Sequence, residues 1–211
     1  MLSRIVRQET QSNKLVEQQG DYLKPYVGLI IQARLGGSRF PGKVLQTIGG
    51  RTILETVVAR CHEAKLVDKV VIAMPENPMC CLNEEIFIGS EDNVLDRYYQ
   101  CAKHFNFDVI VRITCDCPLT MPFEIDRCVE AFLSNKVDYV TNRPAMPDGF
   151  DVEVFSYQAL EKVWTDNKFD EHVTTHIKTM NSLVLDAPKL SVDEPADLER
   201  VKQWIGQIKT F

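Results

Sequence analysis

The apolar run Val27 to Ile31 stops abruptly in the stretch Gln32-Ala33-Arg34-Leu35-Gly36-Gly37-Ser38-Arg39-Phe40-Pro41-Gly42-Lys43. A short continuous apolar run bounded by turn residues predicts a buried strand. Adjacent glycines let backbone N–H groups turn toward an anion and approach it closely. Arg34, Arg39 and Lys43 place three cations in the same loop. By composition this is a cradle for a triphosphate, weighed against a plain basic surface turn.

Beyond Lys43 the chain repeats the apolar theme at regular intervals. Thr52 and Glu55 form a capping-box pattern, and Ile53, Leu54, Val57, Val58, Cys61 and Ala64 come after it at helical spacing. Strands are predicted over Val67–Met74, Ile86–Ile88, Asp108–Asp116 and Val137–Val140. Helices are predicted through Val94–Phe105 and over Pro122–Leu133, the latter with proline in its first turn. Strands alternating with helices imply an α/β fold, a mostly parallel sheet with helices on both faces. Ligands of such sheets bind outside the carboxyl ends of the strands. The loop after Ile31 and the carboxylate of Asp116 both belong at that edge.

Gly37-x-x-x-x-Gly42-Lys43 matches the body of a P-loop. Val44 stands where a P-loop has Ser or Thr, and Gly49-Gly50 turns the chain before any helix begins. A P-loop needs a helix N-terminus beneath the phosphates. An NTPase or kinase is therefore a rival with two features against it.

Length and charge narrow the partners. The 211 residues suit one α/β domain, read as 27–211 behind an N-terminal extension, 1–26, that is polar and lacks an apolar signal core. A net charge of −6 argues against a nucleic-acid or membrane partner, so a local basic loop suggests a small anionic ligand. No run approaches membrane-spanning length. Seven cysteines without zinc spacing read as reduced thiols and a cytoplasmic protein.

Five more stretches carry chemistry. Val109 to Asp116 is an apolar strand that stops on a carboxylate able to hold Mg2+ against phosphates, or simply to cap a turn. In Gly89-Ser90-Glu91-Asp92-Asn93-Val94-Leu95-Asp96-Arg97-Tyr98, acids open a helix, and Arg97 either reaches a nucleotide or pairs with Asp96 or Glu91. After Asn142, Pro147-Asp148-Gly149 is a turn; Asp151 and Glu153 alternate like one face of a strand, about 7 Å apart, with an edge strand as the plain alternative. In Glu171-His172 the imidazole either contacts an acceptor or phosphate or is a satisfied helix-start histidine, and Asp193 before Pro195 suits a helix cap.

The ordered set resembles the sugar-acid cytidylyltransferases, among them the 3-deoxy-manno-octulosonate and acylneuraminate enzymes, and within that superfamily the spore-coat polysaccharide biosynthesis type. The carriers are Ala33-Arg34-x-x-x-Ser38-Arg39-Phe40-Pro41-Gly42-Lys43, the Gly89–Tyr98 run, Val111-Arg112-x-x-x-Asp116-x-Pro118-Leu119, Asp151-x-Glu153, Glu171-His172-Val173-Thr174 and Val192-Asp193-x-Pro195-x-Asp197-Leu198. Asp170 departs from the arginine usual before Glu171. The resemblance implies a Rossmann-like nucleotidyltransferase domain that transfers CMP from CTP to a sugar acid, in surface polysaccharide or glycan precursor synthesis. It implies Ala33, Arg34, Gly36, Gly37, Ser38, Arg39, Lys43 and Arg97 at the nucleotide, with Arg34, Arg39, Lys43 and Asp116 as catalytic residues. It places Asn142, Asp151, Glu153, Glu171 and His172 around the acceptor, Asp116 and Asp193 on Mg2+, and a homodimer contact near Phe150–Phe155. A nucleotide-binding relative without catalysis is the other alternative.

Overall fold

The computed structural model describes residues 24–36, 40–76, 84–170, 172–188 and 195–208. The first apolar run is strand β1, Val27–Gln32, with its first five residues buried. A single 3-10 turn at Lys43–Leu45 leads to a hairpin of β2 (Thr47–Ile48) and β3 (Arg51–Thr52). Gly49 and Gly50 have φ of 60° and 87°, the positive values that a tight two-residue hairpin demands. Helix α1, Ile53–His62, opens with the full reciprocal capping box of Thr52 and Glu55.

Strand β4 (Lys69–Met74) and β5 (Ile86–Ile88) precede helix α2, Val94–Phe105, capped by the Asn93 side chain. Strand β6 (Val109–Thr114) leads to helix α3, Pro122–Ser134, with proline in its first turn. Then come β7 (Tyr139–Thr141), β8 (Glu153–Ser156), and helix α4, Tyr157–Thr165, whose N-cap Ser156 accepts from the Ala159 N–H. A short strand β9 (Ser182–Val184) and helix α5, Pro195–Ile208, close the chain.

These strands form one seven-stranded sheet in the order β5-β4-β1-β6-β8-β7-β9. All neighbours are parallel except β8, which runs antiparallel to both β6 and β7. Because β8 lies between two partners, the edge strand considered for Asp151 and Glu153 is not what forms. A homodimer contact by strand pairing there has no open edge to use. From β1 the chain steps outward to β4 and β5, then returns to β6 on the other side. The topological switch point therefore falls between β1 and β6, where such sheets open a crevice at their carboxyl ends.

Alternation along the strands splits the core in two. Leu29, Ile31, Ile72, Val111, Ile113 and Val154 pack under α1 and α3. Ile30, Val71, Ala73, Ile110 and Phe155 pack under α2 and α4. At Gly28 an added Cβ would lie 2.2 Å from the Phe107 ring, so this strand position admits no side chain.

Candidate active site

Both parallel neighbours at the switch point deliver their carboxyl ends to one place. Strand β1 empties into the glycine- and cation-bearing loop, and β6 ends two residues before Asp116. The Lys43 Nζ lies 2.5 Å from Asp116 Oδ2, although 73 residues separate them. Burial disfavours ionising Asp116, but the Lys43 ammonium and a hydrogen bond from Thr114 outweigh it and hold the carboxyl below its usual range. Both side chains stay open to solvent, at 38% and 48% exposure, so a ligand can reach either.

The loop is shaped by its own backbone. The Gly42 N–H donates to the Leu35 carbonyl at 2.8 Å, and Gly42 sits at φ 66°, a left-handed conformation that glycine adopts without strain. The Leu35 N–H donates to Glu76 Oε1 at 2.6 Å, which ties the loop to the end of β4. Ala33 is buried and its N–H donates to the Ala73 carbonyl. Arg34 and Gly36 are exposed at the loop entrance. Gly37, Ser38 and Arg39 lie outside the described residues. No α-helix follows Lys43, so the P-loop arrangement is absent here, for the reason the Gly49-Gly50 turn suggested.

Arg97 approaches from the β4–β5 side of the crevice. Its Nη1 donates to the Ser90 carbonyl at 2.7 Å, and its stem runs under Gly89, where a Cβ would lie 2.7 Å from the Arg97 Cγ. It is 2% exposed. The pairing with Asp96 does not occur among the described residues: that carboxylate instead accepts from Trp164 Nε1 and Gln100. The Arg97 Nε is buried with no hydrogen-bond partner among them. Burial lowers its pKa, with Glu76 nearby opposing and Arg34 reinforcing the shift. That unmatched donor is sealed from solvent.

On the β8 side the expected acceptor residues fall into different settings. Asp151 precedes β8; its Oδ1 is buried without a hydrogen bond, with the Arg143 Nε 3.3 Å away in an ion pair. Burial raises its pKa, and Arg143 opposes that shift. Asn142 is fully buried and saturated: it donates to Phe150 O and Glu124 Oε2 and accepts from the Val152 N–H. It therefore braces the 142–152 loop. His172 is exposed, and Glu171 lies outside the described residues.

Glu153 is 5% exposed, with both oxygens taken. Oε2 accepts from Arg112 Nη1 in a very short contact. Oε1 accepts from the Tyr139 hydroxyl at 2.5 Å and the Thr174 hydroxyl at 2.7 Å. Burial disfavours the charge, yet Arg112 and the two hydroxyls hold the Glu153 carboxyl below its usual range. Arg112 in turn donates from Nε and Nη2 to Gln32 Oε1.

Gln32, Glu76 and Tyr139 join the site without having stood out in the sequence as candidates for it, and Arg112 and Thr174 stood out only as parts of motifs with no site role of their own. One signal was available: Arg112 is a cation inside the otherwise apolar run Val109–Ile113, and a buried charge requires a partner. The second carboxylate expected for a metal, Asp193, lies outside the described residues. Among the described residues no cluster of three His, Cys, Asp or Glu side chains could hold a metal ion. Cys115 and Cys117 flank Asp116 as buried thiols whose pKa burial raises, that of Cys115 to about 12, so they behave as core residues. No helix among the described residues is long and apolar enough to cross a membrane. A separate cavity of about 310 Å³ lies at the amino ends of β4 and β5, lined by His62, Asp68, Lys69 and Glu85, away from the crevice.

Known proteins resemble this chain in sequence and fold. The cytidylyltransferase family profile matches residues 29–193. An uncharacterized protein of Methanocaldococcus jannaschii is 42% identical over 196 residues, covering 86% of this chain and 79% of that protein. The spore coat polysaccharide biosynthesis protein SpsF of Bacillus subtilis is 29% identical, covering 82% of this chain and 83% of SpsF. A solved cytidylyltransferase from Leptospira borgpetersenii superposes with a TM-score of 0.71 at 29% identity, covering 85% of this chain and 86% of its own. The fold is shared with a CMP:2-keto-3-deoxy-manno-octonic acid synthetase solved with CTP, with a TM-score of 0.60 at 16% identity and coverage of 86% and 99%.

Proposed function

This chain belongs to the cytidylyltransferase family, and from that premise we propose that it transfers CMP from CTP to a sugar acid or related small acceptor, releasing pyrophosphate. The observation that carries the reading is the meeting of the glycine-rich cationic loop with Asp116, through Lys43, at the switch point of the sheet. The similarity to SpsF and, over half of this chain, to the 3-deoxy-manno-octulosonate cytidylyltransferase of Trichlorobacter lovleyi supports a sugar-acid acceptor and a place in polysaccharide precursor synthesis. The reading includes a homodimer in the cytoplasm, with its contact near Phe150–Phe155 made by surfaces other than an open strand edge.

In this mechanism the protein binds and orients. Lys43 would exchange its contact with Asp116 for a phosphate oxygen, while Arg34, Arg39 and the loop N–H groups hold the remaining triphosphate charge. Arg97 would add its positive charge on the nucleotide side. The acceptor oxygen attacks the α-phosphorus in line, its proton passes to solvent, and pyrophosphate leaves. Mg2+ suits the donor chemistry: Asp116 is an ionised, solvent-accessible oxygen ligand, and this ion needs only one or two carboxylates beside phosphate and water. Asp116, with Asp193, would hold it. When bound, the ion neutralises charge on the phosphates.

Pyrophosphate release should be assayed with each of the four NTPs against a panel of sugar acids. Release with CTP and an acidic acceptor is expected. Inorganic phosphate from ATP would favour a kinase or NTPase, and CTP binding without pyrophosphate release would favour a non-catalytic relative.

A further inference from the structure

Gln32 is the last residue of β1, at the carboxyl end of the strand beside the switch point. Its side-chain Oε1 accepts from Arg112 Nε at 3.3 Å and Nη2 at 3.2 Å. A guanidinium carries donors only, so the amide oxygen must face it and the NH2 group must face away. That orientation is fixed from behind. Arg112 is itself held by Glu153, and Glu153 by Tyr139 and Thr174. Every member of the chain is buried or partly buried, and the Arg112 and Glu153 side chains are 10% and 7% exposed.

The Gln32 Nε2 donates to no acceptor among the described residues. It is also not among their sealed polar atoms that lack a partner, which are the Arg97 Nε and the Asp151 Oδ1. An amide whose oxygen is pinned by a buried ion pair, and whose N–H groups are neither paired nor sealed at the carboxyl end of β1, is a directed donor. Its oxygen is anchored on the β6–β8 side of the switch point, through Arg112 and Glu153, and this anchor sets where the N–H groups can reach.

We propose that Gln32 is a specificity residue that donates its side-chain N–H to an oxygen of the acceptor, a carboxylate or hydroxyl of a sugar acid, and that Arg112 and Glu153 are the positioning residues that aim it. The proposal rests on the nucleotidyl-transfer reading for the existence of an acceptor. Thr174 extends the aiming chain to the 172–176 segment, so Glu153 serves the acceptor without touching it.

Gln32→Glu separates this role from a purely structural one. A glutamate keeps, and charges, the oxygen that Arg112 holds, but it offers no donor. Gln32→Met removes both contacts without adding charge. Initial rates with CTP and the sugar acid that supports pyrophosphate release by the parent give separate KM values for the two substrates. The expected result is a rise of about tenfold or more in acceptor KM for both variants. The CTP KM should stay within about twofold, and Gln32→Glu should melt no lower than the parent. An unchanged acceptor KM in Gln32→Glu overturns the proposal while the transfer reading stands, because a strut would tolerate that change. A rise in CTP KM alone overturns it too, by placing Gln32 at the nucleotide. If the parent releases no pyrophosphate with any sugar acid, the transfer reading fails, and the ligand class assigned to Gln32 fails with it.

Discussion

Two ion pairs straddle the switch point, and they are built oppositely. Lys43–Asp116 joins two half-exposed groups at the crevice mouth. Arg112–Glu153 joins two buried groups; Tyr139 and Thr174 donate further hydrogen bonds to Glu153, and Gln32 accepts from Arg112. An exposed pair contributes little to stability, since water competes for both charges. It can be opened at small cost, which suits groups that must receive phosphate. A buried pair is different, because removing one partner strands the other charge in a low-dielectric interior. The comparison assigns exchange to the first pair and fixation to the second.

Breaking the buried pair should have the largest effect. Glu153→Ala leaves Arg112 unpaired and should destabilise the fold by about 3–5 kcal/mol, read from denaturant midpoints. The double variant Arg112→Met/Glu153→Leu should recover much of that loss. A cost near zero for Glu153→Ala would remove the distinction between the pairs. At the exposed pair the losses should appear in function instead. Asp116→Asn should abolish turnover yet change stability by less than about 1 kcal/mol.

Acid sharpens the same contrast. The Glu153 carboxyl is held below its usual range in the folded protein. Its contribution is therefore present above the unfolded value of about 4.3 and is lost as pH falls through the folded value. Stability measured from pH 6 downward should fall less steeply in Glu153→Gln than in the parent, relative to each protein at pH 6. Equal slopes would show that another carboxylate governs acid unfolding. The smallest expected effect is a control remote from both pairs: Thr52→Ala removes the capping box of α1 and should cost about 1 kcal/mol with turnover unchanged.

Local signals in the sequence located most of the elements. Capping chemistry at Thr52 and the apolar spacing of Val94–Phe105 each mark an element whose determinants lie within a few residues of one another. The loop after β1 and the carboxylate after β6 were legible because strand ends are punctuated by glycine, proline and charge. What was not legible is long-range. The insertion of β8 between β6 and β7 turns Asp151-x-Glu153 from an edge into an interior strand. Gln32 and Arg112 meet across 80 residues of sequence, and Arg112 and Glu153 across 41. No periodicity reports such contacts. Asn142 reads as a polar site residue in sequence, and its saturation by Glu124, Phe150 and Val152 emerges only from the fold.

The claim that the exposed pair opens to receive a triphosphate is tested most directly by calorimetric titration of CTP, with magnesium, into the parent and Lys43→Ala. CTP should bind Lys43→Ala at least about tenfold more weakly, as expected for loss of a charged hydrogen-bond partner, at an unchanged melting temperature. Equal CTP affinity in the two proteins would contradict it.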